Sequence, residues 1–146
     1  MAAWRSFIES IGDLTHALEK DLAEHDLTMG DYQVLVHLSE AEERSMRMCD
    51  LADLLQLSPS GLTRRLDGLV KGGLVTRRPS PLDGRVMMAV LTEEGRDVLA
   101  AAAPTHVESV RRHIFDHLDD GQVDAMAGIF AAIAHHLDDD PTETAA

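Results

Sequence analysis

Residues 57–92 read LSPSGLTRRLDGLVKGGLVTRRPSPLDGRVMMAVLT, and the architecture follows from this pattern. Ser58 is a favourable N-cap, and Pro59 suits the first helical position because its missing N–H has no helical partner to lose. Apolar residues then recur at spacings of three and four, which predicts a helix with one buried face. Gly72 and Gly73 end the pattern, and a glycine pair is typical of a helix C-terminus.

A β-hairpin is predicted directly after this helix. A short strand is expected at 74–78 and an apolar return strand at 86–91, with a turn rich in Pro, Asp and Gly between them. Helical periodicity predicts most of the remaining elements. They are helices at 4–25, 29–41 and 48–56, a charged connection at 40–47, a helix from Glu93 to Leu118 that Pro104 kinks or breaks near Ala103, and a last helix at 121–137.

This order of elements predicts a winged helix-turn-helix. Helix 48–56 and the helix that begins at Pro59 are joined by a tight turn, and the hairpin behind them is the wing. The predicted fold class is therefore mainly α, with about six helices and a β wing of two to three strands. The N- and C-terminal helices lie outside this motif and are predicted to form a dimerisation region.

The second helix of this motif has a face suited to DNA. Arg64 points outward and can donate two hydrogen bonds to a guanine edge, whereas Arg65 and Lys71 fit phosphates better. Arg85, at the hairpin tip, can reach an adjacent minor groove. The apolar underside of the helix is expected to consist of Leu62, Leu66, Leu69 and Val70. The predicted DNA-contacting residues are Ser58, Ser60, Gly61, Thr63, Arg64, Arg65, Lys71, Arg77, Arg78, Asp83 and Arg85.

Charge is distributed unevenly along the chain. The formal net charge is −13, which by itself argues against a nucleic-acid partner. Between Ser58 and Val86, however, six basic residues face two acidic ones, while the other 117 residues hold seven basic and 24 acidic residues. A compact basic segment in an acidic body predicts that only one face can dock on double-stranded DNA.

Length and composition exclude several classes of protein. The chain has 146 residues, enough for one domain, and 45% of them are hydrophobic, which excludes wholesale disorder. No apolar run is long enough to cross a membrane, no signal peptide is recognised, and the single Cys fits a reducing cytosol. No nucleophile elbow, phosphate loop or metalloprotease signature occurs, so neither enzymatic activity nor a cofactor is expected.

The helix-turn-helix, the hairpin with Asp83-Gly84-Arg85 and the run Leu91-Thr92-Glu93-Glu94-Gly95-Arg96 form an ordered set of motifs. In this set the sequence resembles the MarR family of bacterial transcription regulators. The resemblance covers nearly the whole chain and implies a cytoplasmic homodimer that binds a pseudo-palindromic operator, most often as a repressor. It also implies one domain over 1–146, with a DNA-binding lobe at about 29–92, dimerisation helices at about 4–25 and 93–138, and a polar tail at 139–146. The residues that carry it are Leu51-Ala52, Leu57-Ser58-Pro59-Ser60, Leu66-Asp67-Gly68-Leu69, Gly73-Leu74-Val75, Arg77-Arg78, Asp83-Gly84-Arg85 and Leu91-Thr92-Glu93-Glu94-Gly95-Arg96.

The resemblance gives the wing a motif of Asp, any residue, Arg, in which the carboxylate orients the arginine. Asp83 and Arg85 match this motif. The middle position is often basic in the family but is Gly84 here, so this wing is expected to contact fewer phosphates and to flex more.

The resemblance also implies a small effector, often aromatic or phenolic, bound between the dimerisation and DNA-binding regions. Core or interface packing accounts for the candidate residues better than effector contact does. The candidates are Trp4, His16, Tyr32, His37 and Arg47.

Two alternatives keep the same fold or the same charge pattern. His113 and His117 are four residues apart and would share a helical face, so a zinc-responsive regulator is one alternative, although two further ligands are needed. The other is a protein-interaction module whose basic segment meets an acidic partner instead of DNA. Cys49 follows apolar Met48 and is separated from Leu51 by Asp50. It is expected to be a buried structural thiol rather than a redox sensor.

Overall fold

The computed structural model describes residues 1–139, and over this range it contains six α-helices and one small sheet. The winged helix-turn-helix prediction is confirmed. The helices are α1 (Ala2–Leu22), α2 (Met29–Glu40), α3 (Met48–Leu54), α4 (Pro59–Lys71), α5 (Glu93–His113) and α6 (Asp120–Asp139), and the strands are β1 (Ser45–Arg47), β2 (Val75–Pro79) and β3 (Met87–Leu91). Single turns of 3₁₀ helix lie at Ala23–His25, Glu42–Arg44 and Phe115–His117. Most of the predicted polar tail lies outside the described residues.

The sheet is antiparallel, with the strand order β1-β3-β2. β2 and β3 form the predicted hairpin, each beginning one residue later than expected, with Arg77 opposite Ala89. β1 pairs Ser45 with Val90 and lies in the segment expected to be a charged connection. A strand of three residues is too short to show alternation in the sequence, so the existence of β1 depends on its partner strand.

The core of residues 1–109 is aliphatic and joins the helix-turn-helix to the sheet. α2, α3 and α4 contribute side chains that are at most 1% exposed. β2 adds Val75 and β3 adds Ala89, also at most 1% exposed. The fully buried leucines of this core are Leu22, at the end of α1, and Leu35, Leu38, Leu51, Leu62 and Leu66.

α5 differs from the prediction at its proline. The helix is continuous through Pro104 and ends at His113, after which Ile114 leaves helical geometry with φ −124° and ψ −72°. The prediction placed the break at the residue type most likely to cause it. His113 therefore ends a helix and His117 lies in the next 3₁₀ turn, so the expected shared helical face does not exist.

The chain divides into two compact units, residues 1–109 and a second unit that begins at Val110. In the first unit, α1 exposes a row of large apolar residues: Trp4, Phe7, Ile8 and Ile11. In the second unit, α6 exposes another row: Ile129, Phe130, Ile133 and Leu137. None of the helices described over residues 1–139 combines the length and the apolar character needed to cross a bilayer.

Candidate nucleic-acid interface

α4 is delimited as its sequence predicts. The Ser58 hydroxyl oxygen accepts a hydrogen bond from the Gly61 N–H at 3.1 Å, which caps the helix, and Pro59 occupies its first turn. Leu62, Leu66 and Leu69 are buried beneath it. Val70, expected on this underside, is instead 38% exposed, because it lies in the last turn, where the helix leaves the core.

The outer face of α4 exposes polar, small and basic side chains. Ser60, Thr63, Gly68 and Lys71 are exposed, and Gly61 is half-buried. The Thr63 hydroxyl donates to the Pro59 carbonyl at 2.9 Å. The side chains on this face are small at the beginning of the helix and basic further along, as a helix that enters a major groove requires.

Arg64 is the exposed arginine of this face. It forms no hydrogen bond or ion pair with the part of the chain that the structure describes. It lines a groove of about 480 Å³ together with Thr28, Leu57, Gly61 and Gly68. Its guanidinium is therefore available to a partner outside the chain.

Arg77, predicted to contact DNA, is turned inward. Its Nη2 donates to the Thr63 carbonyl at 2.9 Å and to the Asp67 carboxylate at 2.8 Å, and these bonds join β2 to α4. Its Nε is buried without a partner in the described chain. Arg78, the next residue on the strand, faces the other way and is exposed.

The wing presents one ordered arginine. Asp83 accepts hydrogen bonds from the Arg85 backbone N–H at 3.0 Å and from its guanidinium at 3.2 and 3.3 Å, while the Arg85 side chain stays 92% exposed. These bonds hold the pKa of Asp83 below its ordinary value. Because protonation would break the pair, the contact is present at neutral pH and is lost only when the pH falls through that lowered pKa.

The five effector candidates are distributed over several elements. Trp4 borders a cavity of about 260 Å³ whose lining comes from α1 and the residue before it. His16 is exposed and His37 half-buried, and Arg47 pairs with Asp50 at 3.3 Å. Tyr32 is 8% exposed and belongs to the core. Their role in binding an effector stays a prediction.

Sequence reasoning gave His106 no role beside Tyr32. The two rings lie 4.5 Å apart, and the His106 Nδ1 is buried without a partner among the described residues. Burial raises the pKa of Tyr32 and lowers that of His106, which favours a neutral imidazole. The sequence did carry a signal for a buried His106, because spacings of four and three place it on one face of α5 with the buried Ala102 and Ser109.

The two remaining candidates are the histidine metal site and the Cys49 thiol. Over residues 1–139, no three His, Cys, Asp or Glu side chains come together as a metal site requires. The prediction of a buried thiol was wrong: Cys49 is exposed, and its Sγ lies 3.5 Å from an Asp50 carboxylate oxygen. Its apolar neighbours in sequence face the core from other sides of the helix.

Comparison with known proteins agrees with this geometry. The sequence model of the MarR family matches residues 25–86. AbsC of Streptomyces coelicolor, a MarR family regulator of known structure, is 42% identical, covers 95% of this chain and 94% of its own, and superposes with a TM-score of 0.89. Sco3205 of the same organism, solved in complex with DNA, is 35% identical, with 99% and 91% coverage and a TM-score of 0.90. The transcriptional repressor YetL of Bacillus subtilis is 27% identical over 83% of this chain and 74% of its own length. The chain belongs to the MarR family of transcriptional regulators.

Proposed function

We propose that this regulator binds a pseudo-palindromic operator as a homodimer and represses transcription by occupying it. The observation that carries the proposal is the exposed Arg64 on a capped helix, unpaired within the described chain, beside a wing whose Arg85 is held outward by Asp83. The DNA complex of the relative Sco3205 supports a duplex partner, and the name of YetL supports repression. In this proposal residues 29–92 form the DNA-binding lobe.

The contacts divide by chemistry. Arg64 reads a guanine edge in the major groove, with small residues at the start of α4 allowing close approach. Lys71 and Arg78, both exposed, neutralise phosphates. Arg85 enters the neighbouring minor groove, where narrow A·T sequence attracts arginine.

Two apolar surfaces support the homodimer. Trp4 is 62% exposed on α1 and Ile129 is 59% exposed on α6, each within a row of large apolar side chains. Rows of this size on a water-facing surface mark an interaction site. A second copy of the chain would cover both and would place two α4 helices about one DNA turn apart.

The effector part of the proposal is thermodynamic. A small aromatic or phenolic molecule would release the operator only by binding more tightly to a dimer whose two α4 helices no longer match consecutive grooves. A differential affinity of ~100-fold corresponds to ~2.7 kcal/mol, which is the most by which such an effector could shift the dimer away from its DNA-binding state.

Arg64→Ala is expected to weaken operator binding by ~1–3 kcal/mol and to remove discrimination at one base position. Arg78→Ala is the control, because a phosphate contact weakens specific and random DNA alike. Competition titrations with single-base operator variants measure both. An equal loss on operator and random DNA in Arg64→Ala would contradict its assignment as a base reader.

Arg85→Ala is expected to lower operator affinity by about 1 kcal/mol while leaving the unfolding temperature unchanged, because its side chain is solvent-exposed. Asp83→Ala should give a smaller loss through misorientation of the arginine. Removing a negative charge near DNA would by itself strengthen binding, so a loss in Asp83→Ala isolates the orienting effect. Unchanged or tighter binding in Asp83→Ala would show that the carboxylate does not orient Arg85.

Selecting fragments of the organism's own genome that bind the purified protein tests the proposed function. We expect recovery of a small set of promoter fragments that share an inverted repeat. Fragments without a shared sequence would contradict specific binding, and no retained DNA would contradict DNA binding altogether.

A further inference from the structure

Arg65 belongs to α4, the proposed recognition helix. Its side chain does not project toward solvent but lies against the start of α2. Its Nη1 donates to the Thr28 hydroxyl oxygen at 3.1 Å and lies 3.8 Å from the Asp31 carboxylate. The Arg65 side chain is 34% exposed and that of Asp31 21%. The arginine predicted from sequence to bind a phosphate therefore already has two partners inside its own chain.

Those partners are themselves ordered by the cap of α2. The Thr28 hydroxyl accepts from the Asp31 N–H at 3.1 Å, and Asp31 in turn accepts from the Thr28 N–H at 3.1 Å. The Thr28 hydroxyl also lies 2.6 Å from the same carboxylate. A reciprocal capping box of this kind fixes the first turn of a helix. Arg65 thus attaches α4 to a rigid point of α2.

Gly30 makes room for this contact. A Cβ at position 30 would lie 2.2 Å from Arg65 Nη1 and 2.3 Å from Cζ, far inside contact distance. The atoms it meets belong to the end of a flexible side chain, so an alanine would displace the guanidinium rather than the backbone. The absent side chain at position 30 is therefore what allows Arg65 to lie over the start of α2.

We propose that Arg65 is a positioning residue that holds the recognition helix against the N-terminus of α2, and that it acts on sequence discrimination rather than by neutralising a phosphate. The inference rests on the proposed function, because it assumes that α4 reads the operator. By setting the angle of α4 relative to the body of the lobe, the contact determines how well Arg64 is aligned with its base.

Two variants separate positioning from phosphate contact. Arg65→Met removes the charge and the contact, whereas Gly30→Ala keeps the charge but displaces it. If Arg65 positions α4, both variants should lower the ratio of operator to random-DNA affinity by about fivefold or more. The salt dependence of binding to random DNA should then stay unchanged, because no phosphate contact is lost.

A phosphate contact predicts the opposite pair of results. Arg65→Met would lower the slope of log K against log salt by ~0.9 for each contact, or nearly twice that for a dimer, and would weaken both DNAs equally. Gly30→Ala, which frees the guanidinium, would leave binding unchanged or strengthen it. Either of these results, or an unchanged affinity ratio in both variants, would overturn the proposal.

Two controls separate the displaced arginine from the added methyl group and from unfolding. Adding Gly30→Ala to Arg65→Met should lower the affinity ratio no further than Arg65→Met alone, because the added methyl group then has no guanidinium to displace. Gly30→Ala should still melt well above the temperature of the binding assay, because a partly exposed ion pair contributes little to the stability of the fold, so a loss of discrimination is then not due to unfolding. If the unaltered protein shows no preference for an operator, the proposed function fails first, and that result is distinct from both variant outcomes.

Discussion

Removal of residues 121–146 is expected to produce a monomer or an aggregate that has lost specific DNA binding, although α4 and the wing remain intact. The deletion removes almost all of α6, on which four large apolar side chains are about half exposed or more: Ile129, Phe130, Ile133 and Leu137. Each such side chain contributes ~1.5–3 kcal/mol when buried in an interface. A single lobe makes only half of the operator contacts, so affinity should fall by more than ~100-fold.

Sedimentation and an operator titration on the same sample measure this prediction. A shorter deletion of residues 140–146 is the matched control and should retain both the dimer and the affinity. A deletion variant lacking residues 121–146 that is monomeric, stays in solution and binds its operator with full affinity would show that the homodimer proposal is wrong.

Gly95→Ala is expected to destabilise the folded chain by about 3 kcal/mol, near the upper end for overpacking, because backbone atoms would have to move. A Cβ at position 95 would lie 2.1 Å from the Leu74 carbonyl oxygen and 2.8 Å from the Leu91 side chain. That carbonyl also accepts the Thr92 N–H at 3.1 Å, so it cannot yield without breaking the junction between wing and α5.

Urea unfolding followed by circular dichroism gives the free-energy difference. Gly68→Ala, at a glycine within α4 whose Cβ would meet nothing, is the control and should be neutral or stabilising by up to ~1 kcal/mol. A loss of less than about 0.5 kcal/mol in Gly95→Ala would mean that the strand can shift at little cost.

The elements that sequence predicted correctly are those whose signals are local. Ser58, Pro59 and the glycines at 72 and 73 delimit α4 because capping and proline geometry act within a few residues. The pairing of Asp83 with Arg85 was implied by the resemblance to the MarR family, and the two residues contact each other across a single turn. The outward position of Arg64 follows from helical periodicity alone.

What could not be predicted depends on contacts between distant residues. Arg65 reaches across 37 positions to Thr28, and Arg77 across ten to Asp67, so two arginines of the basic segment are held within the chain. The net charge of the basic segment includes these two arginines, although their guanidinium groups already have partners within the chain. Gly95 likewise reads as an ordinary glycine in the first turn of a helix, and only the structure shows Leu74 beside it. β1 exists only because β3 pairs with it.

Footprinting of the full chain on an operator recovered from genomic fragments is the decisive test of paired recognition by two α4 helices. We expect two protected half-sites in consecutive major grooves, about 10–10.5 base pairs apart and related by an inverted repeat. We also expect protection in the flanking minor grooves to disappear in Arg85→Ala. Uniform protection without half-sites, or the same protection on random-sequence duplex at equal protein concentration, would contradict the proposal that paired α4 helices read a specific operator.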